Sequence, residues 1–408
     1  MDLREVDLCD RDNYVADVPH EAFALLRREA PVFWHEEDGG CGFWAVTRHA
    51  DVTAVNRDNL TFSSARGAVL IEDPHPAQLE QQRMMMLNMD PPMHTRYRSL
   101  VNKGFTKRMI GQLEERTRAI TGSILDTISE EGPCDFVTDV AADLPLQVIA
   151  EIMGVPAEDR HKVFDWSNRM IGAEDPEYSA GGPEEAFSAS MELYAYANAL
   201  AAEKRASPGD DVISVLLGAE VDGERLTEIE FDLFFLLLAV AGNETTRNLV
   251  SHAQLALMEN PGERDKLVAD PGLIPGAVEE MLRWGTPVMN FRRTATVDTR
   301  IGDQPIAAGD KVVIFYISAN RDEDVFADPF RFDVTRSPND HVAFGGGGPH
   351  FCLGANLARL EIRILFEELL ARLPDMTLAG TPERLRSNFI NGIKHIPVQF
   401  TPAPARQN

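Results

Sequence analysis

The sequence predicts a mainly α-helical protein with minor β structure, folded as one large domain over residues 1–408. Three observations carry that prediction: a long apolar helix opening at Thr227, helical periodicity across most of Arg96 to Arg205, and a last helix from Leu357 to Leu373. Strand-like patterning is confined to residues near 30–60, 290–315 and 385–402.

Composition permits such a fold. The chain has 408 residues, 44% hydrophobic and 25% charged, which is ordinary globular composition with enough apolar mass for a sizeable core. It carries 39 basic against 65 acidic residues, a net charge of −26. That field repels phosphate backbones and anionic bilayers, which argues against nucleic-acid and lipid-surface partners. The four cysteines, Cys9, Cys41, Cys134 and Cys352, form no CxxC pair and read as reduced thiols of a cytosolic protein. Met1 to Asp10 is charged rather than apolar, unlike a signal peptide. The longest apolar stretch, Phe231 to Ala241, contains Asp232 and falls far short of the ~20 residues of a membrane span. A soluble, cytoplasmic protein is expected.

Along the chain, Gly42 to Val55 suggests a small sheet, with Phe43, Trp44, Val46 and Thr47 between polar breaks. Asp210 to Leu217 reads as a short helix stopped by Gly218. Thr227 and Glu230 form a T-x-x-E capping box, and the next strong stop is Asn260-Pro261, so this helix runs for about 33 residues, or about 50 Å. A helix apolar on nearly every face has to cross the middle of a large protein. Asp270-Pro271 opens another helix carrying Glu279, Glu280 and Arg283 before Pro287. Asn290 to Ile314 turns to strands punctuated by Gly302 and Gly309. A glycine-rich loop, Gly345 to Gly348, then leads past Cys352 into the last helix.

Four features in fixed order carry chemistry. Cys352 lies between glycines in Phe344-Gly-Gly-Gly-Gly-Pro-His-Phe-Cys-Leu-Gly354, with a helix following at once. Backbone N–H donors at a helix N-terminus favour a thiolate, and glycines let the backbone approach a flat macrocycle. An isolated cysteine of this kind would be a buried free thiol; the flanking pattern argues for a ligand. Ala241-Gly-Asn-Glu-Thr-Thr246 interrupts the apolar helix, where Glu244 is costly to bury unless it is used. A carboxylate beside the Thr245 hydroxyl suits proton relay to bound dioxygen, and Gly242 leaves room above a cofactor. The competing reading is a helix break in which threonine bonds the carbonyl four residues back. Glu280 and Arg283 form an E-x-x-R pair, which alone is common on solvated helix faces. His94 and Arg98 stand one turn apart after Asp90-Pro91-Pro92, and with Arg293 and His350 they are candidate cationic partners for carboxylates.

In this order the motifs resemble the cytochrome P450 superfamily over nearly the whole chain. The resemblance implies the cytochrome P450 fold, in which a long central helix and a C-terminal helix sandwich a haem b (iron protoporphyrin IX). It implies Cys352 as the axial iron ligand and His94, Arg98, Arg293 and His350 as holders of the propionates. Glu244 and Thr245 become the acid–alcohol pair of oxygen activation. Glu280 and Arg283, joined by Arg331 of Asp328-Pro-Phe-Arg-Phe332, become the triad that steadies the cysteine loop. Two departures stand out. Phe344 lies eight residues before the cysteine rather than seven, which leaves its packing on the thiolate open, and the relay acid is Glu rather than the commoner Asp.

A narrower resemblance rests on Ala-Gly-Asn-Glu-Thr-Thr-Arg-Asn248, the four-glycine loop with Gly-Ala-Asn-Leu-Ala-Arg359, and Asn391-Gly-Ile-Lys-His395. These are similar to a bacterial group, sharing the extra loop residue, that hydroxylates terminal carbons of sterol side chains and methyl-branched lipids. Neighbouring groups that oxidise linear or cyclic monoterpenes carry similar segments. The implied reaction inserts one oxygen atom of O₂ into a C–H bond of an apolar substrate. The pocket is expected from Met86, Leu237, Val240, Ala241, Val288, Phe291 and Ile390, with Gly67 to Leu87 as a lid. Electrons are expected from NAD(P)H through a ferredoxin reductase and a ferredoxin, docking on Arg96, Lys103, Lys107, Arg108, Arg359 and Arg363. The competing classes are a haem-thiolate sensor without turnover and a peroxide-using haem enzyme.

Overall fold

The computed structural model describes residues 1–102, 107–172, 175–178, 182–221 and 224–402, without the side chains of 76–78, 107–112, 131, 183, 221 and 224. Its axis is the helix Glu228–Glu259. Thr227 caps it as the sequence predicts: its hydroxyl accepts from the Glu230 N–H, and the Glu230 carboxylate accepts from the Thr227 N–H at 2.8 Å. Asn260 ends it, and Pro261 starts the next helix. The helices Asp143–Met153, Arg160–Ile171, Pro183–Ala206, Ile274–Gly285 and Ala355–Arg372 are among those that pack around it. Surrounded in this way, it buries residues on all faces from Phe231 to Leu257, which is why its sequence lacks a polar stripe.

The β structure is minor. One five-stranded sheet runs in the order Val32–His35, Phe43–Val46, Lys311–Phe315, Asn290–Ala295, Phe62–Ser63. Only the pairing of Phe43–Val46 with Lys311–Phe315 is parallel. That middle strand is buried at every position, and the Lys311 amine at its start is neutralised by Glu37 at 2.6 Å and Asp73 at 3.1 Å. The expected sheet from Gly42 to Val55 stops at Val46. His49–Arg57 is a helix instead, because Val52, Val55 and Asn56 have helical spacing and all point inward. Near the C-terminus, 385–402 yields only the short strands Ile393–His395 and Pro397–Gln399.

Part of the segment expected as a lid, Ile71 to Asp73, is held by Arg292. Arg292 donates to the carbonyls of Ile71 and Glu72 and pairs with Asp73 at 2.6 Å. Among the described residues no helix is long and apolar enough to cross a membrane.

A candidate active site around Cys352

The loop before Cys352 is built on glycine. Gly345, Gly346, Gly347 and Gly348 have φ of 97°, 63°, 106° and 82°, a left-handed run that other residues adopt only with strain. The helix His49–Arg57 lies against it: Asn56 Nδ2 donates to Gly347 O at 3.0 Å and Arg57 Nε to Gly346 O at 3.1 Å. A side chain on Gly348 would meet Asn56 O at 2.5 Å. Phe344 meets the cysteine through its backbone, its carbonyl accepting from the Cys352 N–H at 3.0 Å. The Arg359 guanidinium sits 4.7 Å above the Phe344 ring.

Cys352 lies three residues before the start of the helix Ala355–Arg372 and lines a cavity with Phe344, Leu353 and Leu357. Burial pushes its thiol up, while the Gly354 N–H, Arg98, Arg359 and the Ala355 N–H act in the opposite direction. The cavity brings His94, Arg98, Arg293 and His350 together on one wall. The two imidazoles lie 4.2 Å apart, centre to centre. Burial, then the neighbouring arginines, holds His94 at about 4; burial, Arg293 and His94 hold His350 at about 2. Burial also lowers both arginines. Arg98 donates to Phe351 O at 2.7 Å, and Arg293 to Arg292 O and Asn56 Oδ1. Neither makes an ion pair with a carboxylate among the described residues, and His94 Nδ1 is buried without a partner. The buried Arg293 guanidinium and the half-buried one of Arg98, without carboxylate counter-ions among the described residues of a protein of net charge −26, call for anions from elsewhere. The donor set therefore fits an iron porphyrin: a sulfur for the metal and four nitrogen donors for two carboxylates.

Glu280 is fully buried and collects donors from four residues. Arg283 grips it with two bonds, Nε at 2.7 Å and Nη2 at 2.8 Å. The further cation is Arg336, whose Nε lies 3.1 Å from Oε2; Asn339 Nδ2 and the Asp333 N–H complete the shell. The sequence assigned that place to Arg331, which is exposed and contributes only its carbonyl, accepting from Arg283 and Arg336. The turn at Asp333, which accepts from the Arg336 N–H, swings the later arginine back onto Glu280. Arg283 also donates to Asn320 O, and Asn320 Oδ1 accepts from the Val342 N–H at 2.8 Å, which links the pair to the cysteine loop.

Thr245 and Glu244, adjacent in sequence, face different ways. Thr245 lines the cavity and donates to Ala241 O at 2.6 Å. Glu244 does not line it; the carboxylate is buried against Arg247, whose other nitrogen donates to Asn168 at 2.6 Å. The rings of Phe164 and Tyr178 hold the Arg247 guanidinium at 5.9 and 5.7 Å. Burial raises Glu244 and Arg247 lowers it, leaving it above the ordinary carboxylate range. Gly242 lines the cavity, but a side chain there would collide with Ile149 at 2.8 Å, so its smallness also serves helix packing.

Of the expected pocket residues, Met86, Leu237, Ala241, Val288 and Phe291 line the cavity. Val240 and Ile390 do not: Val240 points off the cavity side of its helix, and Ile390 is buried where its backbone bridges Val288. Leu238, within the expected stretch Leu237 to Ala241, lines it too, and Leu249 and Glu361 line it without having been anticipated. Among the expected docking cations, Arg359 is paired with Glu279, and Arg363 with Glu114 and Glu367. Lys103 and the side chains of Lys107 and Arg108 lie outside the described residues.

The Cytochrome P450 family model matches residues 272–385, which span the E-x-x-R pair and the cysteine loop. The steroid C26-monooxygenase of Mycolicibacterium smegmatis is 43% identical, over 98% of this chain and 94% of that protein. The chain belongs to the cytochrome P450 family. As a cytochrome P450 it is a haem-thiolate monooxygenase. The methyl-branched lipid omega-hydroxylase of Mycobacterium tuberculosis is 44% identical over 94% of this chain and 92% of that protein. A Mycobacterium marinum cytochrome P450 in complex with pseudoionone superposes with a TM-score of 0.91, at 43% identity over 97% of this chain and 98% of that one.

Proposed function

We propose that this cytochrome P450 hydroxylates a sterol side chain or a methyl-branched lipid at a terminal carbon, with Cys352 ligating the haem iron. The observation that carries the substrate class is the apolar cavity wall made by Leu237, Leu238, Ala241, Val288, Phe291 and Met86, which holds no charged side chain. The names of the 43–44% identical relatives support the same class.

Bound haem supplies the iron that activates dioxygen. His94, Arg98, Arg293 and His350 would hold its propionates, which would give the two arginines their counter-ions. The buried Glu280–Arg283–Arg336 cluster fixes the cysteine loop, so that the sulfur keeps its position and its amide donors. The apolar wall excludes water and orients a hydrocarbon chain by shape. The Thr245 hydroxyl, which lines the cavity, would hold a proton there for oxygen activation. Glu244 resupplies it by leaving Arg247 and turning toward the cavity. Electrons come from NAD(P)H through a ferredoxin reductase and a ferredoxin, in the cytoplasm.

A second reading is favoured by the pseudoionone complex of the M. marinum relative: an acyclic terpenoid of similar chain length would meet the same wall. Titration of the purified ferric protein, followed by its Soret band, separates the two. A sterol enone or a methyl-branched fatty acid should give a tight low-to-high-spin shift and a monoterpene alcohol a weak one. The reverse order would move the substrate class to the terpenoids.

A further inference from the structure

Asn56 stands on the last turn of the helix His49–Arg57 and is 2% exposed. Its amide joins three separate segments. Nδ2 donates to Gly347 O at 3.0 Å, within the left-handed glycine run. Oδ1 accepts twice, from Arg293 Nη2 at 2.9 Å and from the Tyr316 hydroxyl at 3.2 Å. Tyr316 is buried as well, and with Arg293 and Gly345 it lines the cavity that Cys352 also lines. One side chain therefore ties a guanidinium and a phenol of the cavity wall to the loop that leads to the cysteine.

The residue type matters as much as its place. An amide offers a donor and two acceptor lone pairs on one carbon, and here all of them are used. A carboxylate of the same shape would keep the bonds from Arg293 and Tyr316. It would also set an oxygen against Gly347 O and act as a counter-ion to Arg293. The neutral amide instead fixes the guanidinium and leaves its charge uncompensated. The other bond from Arg293 also goes to a neutral group, Arg292 O at 2.8 Å. Asp90, a carboxylate whose charge Arg293 feels, is engaged by the Ser63 hydroxyl and the Ser64 N–H.

We propose that Asn56 is a positioning residue for the haem. It orients Arg293 for a haem carboxylate, keeps that guanidinium free of an internal counter-ion, and couples its orientation to the glycine run before Cys352. This role rests on the reading that Arg293 holds a propionate.

Two nearly isosteric substitutions separate the charge from the hydrogen bonds. Asn56→Leu removes all three bonds and adds no charge, whereas Asn56→Asp keeps the acceptor, loses the donor and adds a carboxylate beside Arg293. Haem transfer from the ferric holoenzyme to apomyoglobin should quicken roughly threefold in Asn56→Leu and at least about tenfold in Asn56→Asp. The iron reduction potential should fall in Asn56→Asp, because the added negative charge favours the ferric state, and stay near parental in Asn56→Leu. The propionate bending band of the resonance Raman spectrum should shift in both. A residue that only braced the glycine loop would move both variants alike, and equal haem loss with equal potentials would overturn the proposal. So would an unshifted propionate band in Asn56→Leu. Arg293→Gln tests the underlying reading by itself: parental haem loss there would remove Arg293 from the propionates and Asn56 with it. Fast loss in Arg293→Gln beside parental loss in Asn56→Asp would overturn the Asn56 role alone.

Discussion

Arg336 Nε lies 3.3 Å from Oε1 and 3.1 Å from Oε2 of Glu280, so that a cation five residues beyond the expected one closes the buried cluster. With Arg283 on its other side, Glu280 is compensated by two guanidinium groups and two further N–H donors. Removing one partner of a buried ion pair leaves an unscreened charge, at a cost of about 3 kcal/mol. Arg336→Ala should therefore lower unfolding free energy by about that amount and weaken haem retention. Arg331→Ala, which leaves the useful carbonyl in place, should change stability by less than about 0.5 kcal/mol. Urea unfolding of both variants checks the assignment, and equal losses would refute it.

Thr245 is the cavity-facing member of the proposed acid–alcohol pair. Thr245→Ala should consume reductant at a near-parental rate while the yield of hydroxylated product falls roughly tenfold and hydrogen peroxide accumulates. Peroxide and product assays on one reaction decide it. A variant as well coupled as the parent would remove Thr245 from proton delivery.

The His395 ring is held at both nitrogens, Nδ1 by Asp135 at 2.5 Å and Nε2 by Glu177 at 2.7 Å, next to Lys394, which also pairs with Glu177. Burial disfavours the charged ring, but the two carboxylates outweigh it and raise the imidazole above its ordinary value of 6.5. The folded state therefore holds a proton that the unfolded state releases. The stabilisation is complete below about pH 6.5 and is lost as pH rises through the higher folded-state value. Melting temperature across pH 6 to 9 should fall more steeply in the parent than in His395→Gln. Parallel curves would show that the ring carries no such linkage.

Gly348 combines a left-handed backbone with Asn56 O 2.5 Å from where a side chain would begin. Gly348→Ala should destabilise the protein by about 2 kcal/mol and loosen the cysteine loop, read as faster haem loss to apomyoglobin. Unchanged haem loss would mean that the loop relaxes without consequence.

The legible parts of the sequence were those where local spacing and chemistry coincide. The Thr227–Glu230 box and Asn260-Pro261 set the central helix to within a residue at each end, because both signals act through neighbouring backbone groups. His94 and Arg98 of one helix, Arg293 of a strand and His350 of the cysteine loop come from three separated segments yet line one cavity, as the family pattern implied. Arg331 and Arg336 were indistinguishable in this way, since a five-residue turn decides which one returns to Glu280. Glu361 was hidden for the opposite reason. It stands among Arg359, Arg363, Glu367 and Glu368 and reads as one more charge on a solvated helix, whereas those four are paired at the surface side and Glu361 is turned inward. Val240 and Leu238 differ by two positions on a helix apolar all round, so periodicity alone gave no means of choosing which one lines the cavity.

The most direct test is turnover of a sterol enone and a methyl-branched fatty acid under isotopically labelled dioxygen, with NADH, a ferredoxin reductase and a ferredoxin. The proposed function predicts a terminal alcohol carrying one labelled oxygen from at least one of the two, and none from Cys352→Ala. Unlabelled alcohol, or no hydroxylated product from either lipid, would contradict it.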